Sequence, residues 1–95
     1  MDYRKLATDS FQEALIYYRH LHSKSSVTKF EQKQLELMCR DFFNHFNKWM
    51  TYSRFAATDF LVYVKTTELS NILTLPESEW SKWIKNSFEK EKATV

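Results

Sequence analysis

Hydrophobic positions recur along this chain with helical spacing from its first residues. Ala7, Phe11, Ala14, Tyr18 and Leu21 follow one another at intervals of 4, 3, 4 and 3, which places them on one face of a helix. Leu15 widens that face. The predicted helix covers about 2–22; Ser10 and Glu13 have capping-box spacing, but the stripe already begins at Ala7. The polar link SKSSV follows. Thr28 then stands as an N-cap with Glu31 three residues on, so a second helix is predicted over about 29–52.

That second helix carries two apolar seams. Leu35, Met38, Phe42, His45 and Trp49 form one; Cys39, Phe43, Phe46 and Met50 form another, turned from it by about 100°. Glu36, Arg40, Asp41, Asn44, Asn47 and Lys48 occupy the opposite side. An apolar arc of roughly half the circumference exceeds the stripe of an ordinary surface helix and calls for two neighbours. This helix is therefore expected at the centre of a bundle, or with one seam against another molecule.

The remaining elements are less regular. A break is expected in YSRFAATDF, with Thr58 or Asp59 capping a new helix. Over 59–73, Val62, Tyr63, Val64, Thr66 and Thr67 favour a strand, yet no second strand exists to pair with it. Leu61, Val64, Leu69 and Ile72 share a helical face, so a helix is predicted. Pro76 suits the first position of a last helix, whose narrow face holds Trp80, Trp83, Ile84, Ser87 and Phe88. The charged tail from about 89 is expected to fray. The whole reads as one all-α domain over 1–95, a small three- or four-helix bundle around an aromatic-rich central helix.

Composition sharpens this. Glycine is absent and proline occurs once, so tight hairpin turns and glycine-rich phosphate loops lack their residues. A net charge of +2 without like-charge runs gives no general case for nucleic acid. A single cysteine excludes an internal disulfide and fits a reducing compartment. The opening MDYRKLATDS has no apolar signal-like stretch, and FLVYV is too short to cross a bilayer. The expected setting is cytoplasmic.

Candidate chemistry is sparse. Cys39 and His45 are six residues apart, a rotation of about 240° on a helix, so they do not face each other. His20 and His22 fall where the dipole at a helix end favours them. No metal site, cofactor site or catalytic pair is predicted, and the protein is read as a non-enzyme. Aromatics at 17% exceed what a bundle of this size readily hides. An exposed apolar patch of several hundred Å² is expected, of the kind that marks an interaction site. Its expected partner-binding anchors are Phe43 and Met50 on the second seam, or Trp80 and Trp83 on the last helix, with Arg54 at the rim. The expected function is protein binding, as a small inhibitor, adaptor or regulatory subunit, with homodimerisation through the second seam also compatible. The alternative is a helical nucleic-acid-binding regulator: rings and bases interleave in HFNKWMTYSRF, where Lys48 and Arg54 could contact phosphates.

Overall fold

A computed structural model describes the backbone of residues 1–93 and the side chains of residues 1–88. Its elements are α1 (Tyr3–His22), α2 (Lys29–Tyr52), α3 (Arg54–Val64), α4 (Ser70–Leu73), a 3-10 turn (Glu77–Glu79) and α5 (Trp80–Ala93). Among the described residues there is no strand, and the protein is a small all-α bundle. It is elongated, 48 × 21 × 20 Å. No described helix is long and apolar enough to cross a membrane. The expected fraying of the tail from 89 concerns residues that lie outside those with described side chains.

Helix α1 takes the longer of its two readings. The Asp2 side chain accepts from the Lys5 backbone N–H at 3.1 Å, so the cap lies upstream of the Ser10–Glu13 spacing. Helix α2 starts on a complete capping box. Thr28 Oγ1 accepts from Glu31 N at 3.1 Å, and Glu31 Oε1 accepts from Thr28 N at 3.0 Å.

The core of α2 is a single stripe running between the two predicted seams. Leu35, Cys39, Phe42, Phe46 and Trp49 are buried, whereas Met38 and His45 on one flank and Phe43 and Met50 on the other are half-buried. Helices α1, α3 and α5 all pack on α2, which makes it the central helix. Phe11 of α1 meets Phe42 at a centroid distance of 5.3 Å and Phe60 of α3 at 5.5 Å. Trp49 lies 6.2 Å from Phe46 and 5.6 Å from Phe60. These tilted and edge-to-face contacts are the favourable arrangements for ring quadrupoles.

Three local expectations are corrected. The chain breaks within YSRFAATDF as expected, but the cap is Ser53 and not Thr58 or Asp59; Ser53 leaves helical geometry at φ −145°, ψ 66° and caps α3 with no side-chain bond. Thr58 instead sits inside α3 and donates back to the Arg54 carbonyl at 2.8 Å. The segment 59–73 is helical at both ends but interrupted by turns over 65–69, and Val64, Leu69 and Ile72 are all buried. Pro76 stands just outside the last helix, before the 3-10 turn, and α-helix begins only at Trp80.

Glu36, placed by periodicity on the polar side, is 4% exposed. Its carboxylate is held by Lys33 at 3.0 Å and Arg40 at 3.5 Å. Arg40 also reaches Glu77 at 3.5 Å, tying α2 to the 3-10 turn. A carboxylate taken out of water is costly without such partners. On the far side of the bundle, Arg19 grips Glu68 through two bonds of 2.8 and 3.0 Å, linking α1 to the turn after α3.

Candidate functional site

The predicted anchors divide on inspection. Trp80 is 1% exposed, its indole N–H donating to the Leu75 carbonyl at 3.1 Å. Phe43 packs edge-on against it, centroids 5.7 Å apart. This pair closes the α2–α5 contact inside the molecule, so Trp80 is a core residue and not an exposed anchor. Trp83, one turn on, is half-buried and stacks on Tyr18 of α1 at 6.5 Å. Met50 is half-buried, with its sulfur 4.0 Å from the Thr58 hydroxyl. Arg54 is exposed, as expected of a rim residue.

Exposed apolar side chains are spread over the bundle, Ile16, Phe30 and Val62 among them, and one group of them lies at the end where α2 hands over to α3. Tyr52 is 75% exposed, Phe55 90% and Met1 95%. Tyr52 continues the first seam of α2 one turn past Trp49, to the level where α1 begins. It stacks there on Tyr3, nearly parallel at 6° and 5.7 Å between centroids. Phe55 comes three residues later, after Ser53 has turned the chain, in the first turn of α3. A hollow of about 590 Å³ opens at this end, lined by Met1, Tyr3, Arg4, Trp49 and Tyr52 among others.

Three basic residues belong to this end of the chain path. Lys48 Nζ stands 5.6 Å from the Tyr3 ring centre, a cation–π contact. Arg4 lines the hollow, and Arg54 adjoins Phe55 in the chain. Among the described residues Arg4, Lys48 and Arg54 form no ion pair. Asp2 is occupied as the α1 cap. Asp59 lies nearby, lining a shallower hollow with Arg4.

Periodicity passed over Met1, Tyr3, Arg4, Tyr52 and Phe55 because it places residues on a face and is silent on where the neighbouring helix ends. One signal was available: Tyr52 and Phe55 both fall in YSRFAATDF, the stretch in which a break after α2 is expected.

Cys39 is fully buried in the core, and burial pushes its thiol up to about 12, with the Glu36 carboxylate adding in the same direction. The thiolate that nucleophilic attack or metal ligation requires is therefore suppressed. His45 lies 3.5 Å from Asp41 on its own helix. Among the described residues no three His, Cys, Asp or Glu side chains gather in a metal-holding group. No family model, curated protein or solved structure matches the chain at a significant level.

Proposed function

We propose that the protein is a non-enzymatic binding module that docks a partner protein through the end face formed by Met1, Tyr52 and Phe55, with Arg4, Lys48 and Arg54 around it. One observation carries this reading: at this end two large aromatic rings stand 75% and 90% exposed, while Arg4 in the hollow, Lys48 over Tyr3 and Arg54 next to Phe55 in the chain form no ion pair among the described residues. Tyrosine and arginine supply much of the energy at protein interfaces, and a cluster of exposed apolar side chains with a charged margin is the usual form of such a site. The complementary partner presents an apolar face bordered by carboxylates. A second copy of this chain fits less well, because it would set Arg4, Lys48 and Arg54 against their own like charges. Small inhibitors, adaptors and regulatory subunits work in this way, and a compact cytoplasmic accessory factor is the corresponding role.

The test is affinity capture from the source cell, followed by titration of the purified partner with wild-type and Tyr52→Ser/Phe55→Ser protein. The double variant is expected to bind at least about 30-fold more weakly, corresponding to a loss of about 2 kcal/mol, with an unchanged melting temperature. Undiminished binding by the double variant rejects this face.

The three cations among exposed rings also support a second reading, a regulator that binds single-stranded nucleic acid by stacking and phosphate contact. In that case an oligonucleotide binds at physiological salt, and Lys48→Ala and Arg54→Ala each reduce the salt slope by about 0.7.

A further inference from the structure

About 30 Å along α2 from Tyr52 lies a second feature of different chemistry. The first turns of α2 and of α5 enclose a cleft of about 260 Å³, lined by Lys29, Gln32, Lys33, Glu36, Ser81 and Lys85, with Ile84 as its apolar wall. Its interior is polar in a way the bundle does not use. Gln32 is only 8% exposed, and its Nε2 is buried without any hydrogen-bond partner. Buried polar groups in folded proteins are paired as a rule, and an orphaned amide beside a cleft gains its partner when the side chain turns toward an anion held there.

The charges state what kind of ligand. Lys29, Lys33 and Lys85 bring three ammonium groups to the lining, against the single carboxylate of Glu36. That carboxylate is already held by Lys33 at 3.0 Å and by Arg40, from outside the cleft, at 3.5 Å. Among the described residues Lys29 and Lys85 form no ion pair. Among the described residues the lining thus carries two positive charges in excess, together with an N–H donor from Gln32 and a hydroxyl donor from Ser81.

We infer that this cleft binds a phosphate monoester or inorganic phosphate, whose dianion matches the excess charge and whose oxygens accept from the Gln32 amide, the Ser81 hydroxyl and the lysines. Glu36 fixes the position of Lys33 rather than contacting the anion. Ammonium groups and neutral N–H and O–H donors are the set with which proteins hold phosphate without a glycine-rich loop. The site is independent of the end face formed by Tyr52 and Phe55, so either can fail without the other.

The experiment is an NMR titration of the ¹⁵N-labelled full chain with sodium phosphate at constant ionic strength, following the Gln32 side-chain amide. A saturable shift confined to Gln32 and to the backbone around Ser81 and Lys85 is expected. Gln32→Leu removes the amide while keeping the bulk, and weakens phosphate binding about tenfold or more. Because the Gln32 amide is buried without a partner, Gln32→Leu keeps or raises the melting temperature, while phosphate raises that of the wild type more than that of the variant. Lys85→Ala, at an exposed position, weakens binding several-fold and decides the matter should Gln32→Leu fail to fold. Phenyl phosphate and a phosphoserine tetrapeptide are titrated in parallel. Tighter binding of the peptide identifies a phosphorylated chain as the source, and tighter binding of the small ester or the free ion identifies a metabolite. Unsaturable shifts spread over all lysines, identical behaviour of the variants, or acetate binding as well as phosphate overturns the assignment.

Discussion

Replacing Trp80 with alanine separates the folding role of this side chain from the docking role that its residue type suggests. Trp80 is 1% exposed, so truncation removes almost its whole apolar area from the core and leaves a cavity between α2 and α5. Trp→Ala changes of this kind cost about 3–5 kcal/mol. The edge-on contact with Phe43, at 5.7 Å, adds about 0.5–1.5 kcal/mol beyond area. The indole N–H bond to the Leu75 carbonyl, at 3.1 Å, adds about 1 kcal/mol. These overlap, so about 4–5 kcal/mol is the expected total, against the 5–15 kcal/mol that typically holds a domain together. Trp80→Phe keeps a ring against Phe43 and gives up only the bond and part of the volume, and is expected to cost about 1–3 kcal/mol. Urea unfolding followed by circular dichroism at 222 nm measures both. For a chain of this size Trp80→Ala should lower the melting temperature by about 15 °C or more. Phe55→Ala, at a position 90% exposed, should stay within about 0.5 kcal/mol of wild type. A Trp80→Ala loss below about 1 kcal/mol, or a Phe55→Ala loss as large as that of Trp80→Ala, would refute this assignment of inside and outside.

Glu31 and Glu68 are both held down to about 2 from an ordinary 4.5, Glu31 chiefly by Lys24 and then the Thr28 backbone N–H, Glu68 chiefly by Arg19. A depressed carboxylate stabilises the folded state fully above its unfolded value, so stability should fall as pH drops from about 4.5 toward 2; Glu68→Gln should flatten part of that fall in a series of melts, and a stability independent of pH across this window would contradict the pairing. Cys39, with its thiol raised to about 12, should react with an aromatic disulfide reagent only as fast as the protein opens, and rapid labelling of the native chain would show the thiol to be accessible. Thr28→Ala breaks the capping box at α2 and should cost about 1 kcal/mol in urea unfolding; no change would mean that Lys24 and Glu31 hold the helix start unaided.

Much of this fold was legible because helical periodicity is local. The 4, 3, 4, 3 spacing from Ala7 to Leu21 picked out residues that are all buried on α1, and Thr28 with Glu31 marked the start of α2 to the residue. The absence of glycine and of a second strand partner decided the class. Of the face read in the irregular stretch, Val64, Leu69 and Ile72 are core and Leu61 is half-buried, although turns over 65–69 interrupt the helix there.

The candidate site was less legible. Periodicity assigns each side chain an angle about its own helix axis, whereas exposure depends on which neighbour covers that angle and how far the neighbour extends. Trp80 and Phe43 face each other across α2 and α5, so two rings expected to meet a partner meet each other. Tyr52 lies on the same seam as Trp49 but one turn further on, at the end of the bundle, and so remains 75% exposed where Trp49 is 4%. Glu36 reads as polar surface and Gln32 belongs to neither seam until α5 crosses over them and leaves one paired with Lys33 and Arg40 and the other with an orphaned amide. The amino-acid sequence by itself determined the helices, most of their faces and the aromatic surplus, because those follow from spacing within a few turns. Only the tertiary structure decided which of the surplus rings stay outside and which polar groups go inside, because that depends on the lengths and crossings of helices distant in the chain.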